Sequence, residues 1–115
     1  RHLYHERMIS VAEEAPELEP SVPSAEWVAE PDRKVIEQKL IESAKIVRDA
    51  VRGRVETGRQ LELNYDHPIH LIQLLIFHEA YHHGQIKSAL KIAGTPLHDD
   101  VAGPLIWDVW RKRSI

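Results

Sequence analysis

Proline placement constrains this chain more than any other feature. Four of the seven prolines (Pro16, Pro20, Pro23 and Pro31) fall within sixteen residues, and none falls between positions 32 and 67. A proline inside a helix removes a hydrogen bond and sets its ring against the preceding turn, so residues 15–31 are excluded from any long helix. They read instead as an acidic crossover with one short turn around 25–29, joining helices on either side. Pro68 and Pro104 stand where they can open helices, because the missing N–H of an N1 residue has no intrahelical partner anyway.

The apolar spacing supplies the helices. Residues 1–14 carry Leu3, Met8 and Val11 at helical intervals with no Gly or Pro. Ile36, Leu40, Ala44, Val47 and Val51 recur at three and four residues, which predicts a second helix over about 32–52, with Gly53 as its stop. The stretch 56–66 reads as ordered loop, with a hint of extended chain at 60–65. A third helix is capped by Asp66 or His67, has Pro68 in its first turn, and ends at Gly94-Thr95-Pro96. One of its faces reads Leu71, Leu75, His78, His82, Gln85, Ala89, and this face is expected to turn inward. A short terminal helix opens at Pro104, packs through Leu105, Ile106, Trp107 and Trp110, and closes on basic Arg111, Lys112 and Arg113. The expected class is all-α, with residues 1–115 as a single domain.

Composition narrows the chemistry. No cysteine is present, so disulfides and thiolate ligands are excluded and any metal must sit on nitrogen and oxygen. The net charge of −3 gives no general basic field for nucleic acid. No apolar run reaches the ~20 residues that a membrane span needs. Nothing resembles a secretory signal, so neither nucleic acid nor membrane is an expected partner, and a cytoplasmic location is expected.

Eight histidines is a high count for this length, and five of them (His67, His70, His78, His82 and His83) fall within seventeen positions. Two histidines at i and i+4 on a helix project from one face, one turn apart, which suits two cis positions on one metal ion. His78 and His82 meet that rule. Buried without partners, two neutral imidazoles would cost about 1–3 kcal/mol each, whereas a metal satisfies both. Facing helices supply the further ligand in helical bundles, and His2 and His5 are the candidates. His83, about 100° round the helix from His82, reaches toward a pocket rim or an outer shell of ligands, and His67 and His70 serve as cap or surface. Gln85 is placed to orient a ligand or a bound water.

The same five residues, His78-Glu79-Ala80-Tyr81-His82, also read H-E-x-x-H, the zinc-protease helix in which Glu acts as general base. The metzincin version asks for glycine and histidine where this chain has Gln85 and Ser88. A glutamate-ligand version fails because Glu79 is the last Glu, although Asp99 or Asp100 would serve an aspartate version. Glu79 otherwise reads as a solvated helix residue off the ligand face.

The string His78-Glu-Ala-Tyr-His82-His-Gly-Gln85, running on to Gly94-Thr-Pro96, resembles the signature helix of the DinB-like family of metalloenzymes. The tail Pro104-Leu-Ile-Trp107-Asp-Val-Trp110 is similar to the family's Trp-containing C-terminus. The resemblance implies a four-helix bundle with a long crossover between its second and third helices, corresponding to residues 15–31. It implies that His78 and His82 are ligands from the last long helix and that His2 is the third, with His5 in reserve. The family's first helix would precede Arg1, so the chain is expected to be an N-terminally incomplete bundle, either a fragment or one whose exposed flank a second copy covers as a homodimer.

By that resemblance the cofactor is a divalent ion (Zn, Ni or Fe), and the activity is a metal-dependent reaction of the thiol-dependent S-transferase type using a low-molecular-weight thiol. Two alternatives stand beside it. One is a non-catalytic metal-binding or dimerisation module, and the other is a metal-dependent hydrolase of the H-E-x-x-H kind.

Overall fold

The computed structural model describes residues 4–26, 28–109 and 111. It is all-helical: α1 spans His5–Glu14, α2 Arg33–Thr57, α3 Pro68–Ile92 and α4 Asp99–Leu105, with one 3-10 turn at Pro16–Leu18. Among the described residues there is no strand, and no helix is long and apolar enough to cross a membrane. The chain resolves into two compact units, 1–75 and 76–115, and the boundary falls within α3.

In the first unit, α1 and α2 run in the same direction. Arg7 donates to the Leu40 carbonyl (2.8 Å) and to Ser43 Oγ (3.0 Å), and seven residues further along α1 the Glu14 carbonyl accepts from Arg54 Nη2 at 3.1 Å. Two consecutive helices can lie parallel only if the connection returns the chain to its starting end, which is what the proline-bearing crossover does. Within that crossover Pro16 takes the first position of a 3-10 turn, Pro16–Leu18, where its fixed φ and absent N–H cost nothing, and the span 25–29 expected to turn includes Trp27, which lies outside the described residues.

α2 starts on Asp32, whose carboxylate accepts the Lys34 N–H at 2.9 Å. It does not stop at Gly53. It continues to Thr57 and ends on Gly58, which takes the left-handed conformation (φ 67°) that only glycine adopts without strain. The expected stripe holds at Val51, which is buried, and at Ile36, Leu40 and Val47, which are half-buried, but Ala44 is exposed and Ser43, Ala50 and Arg54 are buried instead. Ser43 is drawn inward by its bond to Arg7, a polar contact that apolar spacing does not register.

Two small apolar clusters make the core of this unit. Val11, Ala15 and Ala50 form one, and Val51, Leu61, Leu71 and Leu75 the other, with Val47 touching both. Leu71 is wholly buried, worth ~1.5–3 kcal/mol. The 61–65 stretch forms no strand. It is held by the Glu14 carboxylate, which accepts from Leu63 N (3.0 Å) and Asn64 N (2.6 Å), and by Leu61 in the core.

The second unit contains the later turns of α3, the Gly94 turn and α4. Here Lys87 forms an ion pair with Asp99, and its ammonium lies 5.6 Å from the ring centroid of Trp107. The terminal helix lies upstream of its expected place: it begins after His98, with Asp99 and Asp100 in its first turn, and Pro104 lies near its end. Two carboxylates at a helix N-terminus complement its dipole, and that start prevails over the one at Pro104. Of the expected tail, Trp110, Lys112 and Arg113 lie outside the described residues.

Candidate functional site

α3 is fastened at both ends. At its start His67 Nδ1 accepts the Ile69 N–H at 3.1 Å, so His67 is the cap. At its end Gly94 (φ 84°) reverses the chain, with Gly94 N donating to the Lys91 carbonyl and Thr95 N to the Leu90 carbonyl, the paired bonds of a Schellman turn. A helix held in this way keeps the i, i+4 register of His78 and His82 fixed.

Both histidines belong to the second unit. Their Nε2 atoms are 3.1 Å apart, and their rings meet edge to face with centroids 4.6 Å apart and planes at 77°. His82 Nδ1 lies 2.9 Å from Gln85 Oε1, and the Tyr81 ring packs 5.9 Å from that of His82. With metal–nitrogen bonds of about 2.0–2.1 Å, two cis nitrogens stand about 2.9 Å apart in an octahedral site and about 3.4 Å apart in a tetrahedral one. The observed separation falls between those values, and it is equally that of a hydrogen bond between the two nitrogens.

The expectation that this face is buried along its length is corrected. Leu71 and Leu75 are buried, but His78 is only half-buried, and His82, Gln85 and Ala89 are exposed. α4 has only seven residues, too few to cover residues 76–92. Within the second unit, His82 is the more exposed of the pair.

The remaining candidates are dispersed. His2 lies outside the described residues. His5 is buried in the first unit, with its Nδ1 3.2 Å from the Pro23 carbonyl; because a carbonyl can only accept, Nδ1 carries the proton and Nε2 the lone pair. His70 Nδ1 meets Gln73 Oε1 at 2.9 Å, and His83 is half-buried with an enclosed Nδ1 that has no hydrogen-bond partner among the described residues. Glu79 is half-buried rather than fully solvated. Among the described residues no group of three or more His, Asp or Glu side chains is arranged to hold a metal ion.

Beside the pair, a shallow depression is lined by Tyr81, Gly84, Gln85, Ser88, Ala89 and Ile92. Sequence reasoning singled out Gln85 and Ala89 here but passed over Gly84 and Ser88. The available signal was their four-residue spacing, two small side chains on one strip that leave room between Tyr81 and Ile92. Compared with known protein-family models, with curated proteins and with solved structures, the chain matches none.

Proposed function

We propose that His78 and His82 bind one divalent cation (zinc, nickel or iron) and that the chain is a metal-dependent enzyme of the DinB-like four-helix bundle type. The observation that carries this reading is the 3.1 Å separation of the two Nε2 atoms on consecutive turns of a capped helix. By the family resemblance the third ligand is His2, with His5 in reserve. Such a cation, when bound, lowers the pKa of a coordinated thiol or water and supports S-transfer from a low-molecular-weight thiol. The chain's own residues hold the cation and offer the Tyr81–Ile92 depression to a small substrate. The exposed Phe77 (73%), Tyr81 (61%) and Ile76 favour a second copy as partner, since a monomer seldom leaves large apolar side chains contiguous in water.

The test is metal analysis after equilibrium dialysis against Zn²⁺, with wild type set against His82→Ala. One equivalent in wild type and none in the variant is the expected result, and equal metal in both rejects the site. A screen with thiols and electrophiles then addresses the reaction, with Glu79→Gln as its control: unchanged turnover is expected, whereas abolished turnover favours the hydrolase alternative.

A further inference from the structure

We propose that Gln85 is a positioning residue that fixes the tautomer of His82, so that Nε2 is presented as a lone pair before any cation arrives. This rests on the reading of His78 and His82 as ligands. An amide oxygen can only accept, so the 2.9 Å contact between Gln85 Oε1 and His82 Nδ1 requires the proton on Nδ1. A neutral imidazole has one N–H, and His82 Nε2 is then unprotonated. The 3.1 Å contact between the two Nε2 atoms has only one workable direction: His78 Nε2–H donates to His82 Nε2.

The three side chains thus form a directed relay in which His78 donates to His82 and His82 donates to Gln85. Helix geometry makes it possible. Residues three and four apart share a face, and side chains lean toward the helix N-terminus, so Gln85 reaches back over the turn that carries His82. The two ligands are therefore unequal. His82 already has the tautomer that ligation needs and has only to give up the hydrogen bond it accepts from His78, whereas His78 must also move its proton from Nε2 to Nδ1, an exchange that leaves the protein's proton count unchanged. A Gln85 amide turned the other way round would donate to Nδ1, move the His82 proton to Nε2 and block the ligand.

Two measurements test this. Long-range ¹H–¹⁵N correlation of the metal-free protein at a pH where the imidazoles are neutral reads each tautomer directly. The expected result is Nδ1–H for His82 in wild type and in Gln85→Glu, whose carboxylate accepts the same proton, with a mixture in Gln85→Ala. Zn²⁺ affinity by chelator competition is expected to fall roughly 10- to 100-fold in Gln85→Ala and to be restored in Gln85→Glu. Because Gln85 is exposed, both variants keep the helix, as circular dichroism will verify. An Nε2–H tautomer at His82 in wild type, or undiminished Zn²⁺ affinity in Gln85→Ala, overturns the proposal. If wild type takes up no Zn²⁺ yet shows the Gln85-dependent Nδ1–H, the role of Gln85 stands and the ligand reading falls.

Discussion

The Glu14 carboxylate receives the main-chain N–H of Asn64 at 2.6 Å, across fifty residues of chain, and is itself shut off from solvent. Its other oxygen receives the N–H of Leu63. A buried carboxylate is tolerable only when such donors replace its hydration, so the end of α1 and the 61–65 loop stand or fall together. Glu14→Ala removes the acceptor of both main-chain N–H groups and leaves a void where the buried side chain stood, and Glu14→Gln turns one amide N–H₂ against a donor. Urea denaturation should show a loss of about 2–4 kcal/mol for either variant. A loss below about 0.5 kcal/mol would show that the loop does not depend on this clamp.

Arg54 behaves differently. It is 3% exposed, but only Nη2 is paired, to the Glu14 carbonyl and to Glu17 and Glu62, while Nε and Nη1 are buried with no partner among the described residues. Its acidic partners are 43% and 38% exposed and can be rehydrated if the guanidinium is removed. Arg54→Met keeps the aliphatic stem and sheds the orphan donors, so its stability should lie within about 1 kcal/mol of wild type or above it. Arg54→Ala, which also leaves a void, should lose about 2–3 kcal/mol. Equal losses in the two variants would mean that the charge, not the stem, matters.

Alkaline pH should weaken the first unit through Tyr65. Burial, and then the carboxylates of Glu14, Glu6 and Glu13, raise its hydroxyl above the ordinary 10.0. The folded state therefore holds this proton more tightly than the unfolded state. The contribution is fully present below pH 10.0 and is lost as pH rises through the raised folded value. Denaturation of wild type and Tyr65→Phe between about pH 9 and pH 11 should show wild type falling the more steeply. Parallel curves would remove Tyr65 as the cause.

Two glycines of α2 should respond with opposite signs. Gly53 lies inside the helix with open space where a Cβ would go, so Gly53→Ala should stabilise by about 0.5–1 kcal/mol. Gly58 has equal room but a φ of +67°, so Gly58→Ala should destabilise by about 1 kcal/mol. Thermal melts of the pair, read against wild type, decide it. Two shifts of the same sign would contradict the assigned helix end.

Those glycines also mark how far the sequence reached. Local chemistry is written in the chain: prolines that forbid a helix over 15–31, a cap and a Gly94 stop that frame α3, and a four-residue spacing that stacks His78 on His82. Each depends on neighbours within a turn or two, so it is legible without tertiary information. The terminus of α2 was not, because Gly53 and Gly58 are both plausible stops and the choice goes with Arg54, buried one residue past Gly53 and bonded to the Glu14 carbonyl forty residues away. The same holds for Ser43, turned inward by Arg7, and for Glu14, whose donors lie fifty residues away. Pro104 opens no helix, since Asp99 and Asp100 start one earlier. In the candidate site the sequence determined which two imidazoles share a turn. Tertiary structure decided their burial within the second unit, half-buried for His78 and exposed for His82, because what lies over a helix face is not recorded by spacing along the helix itself.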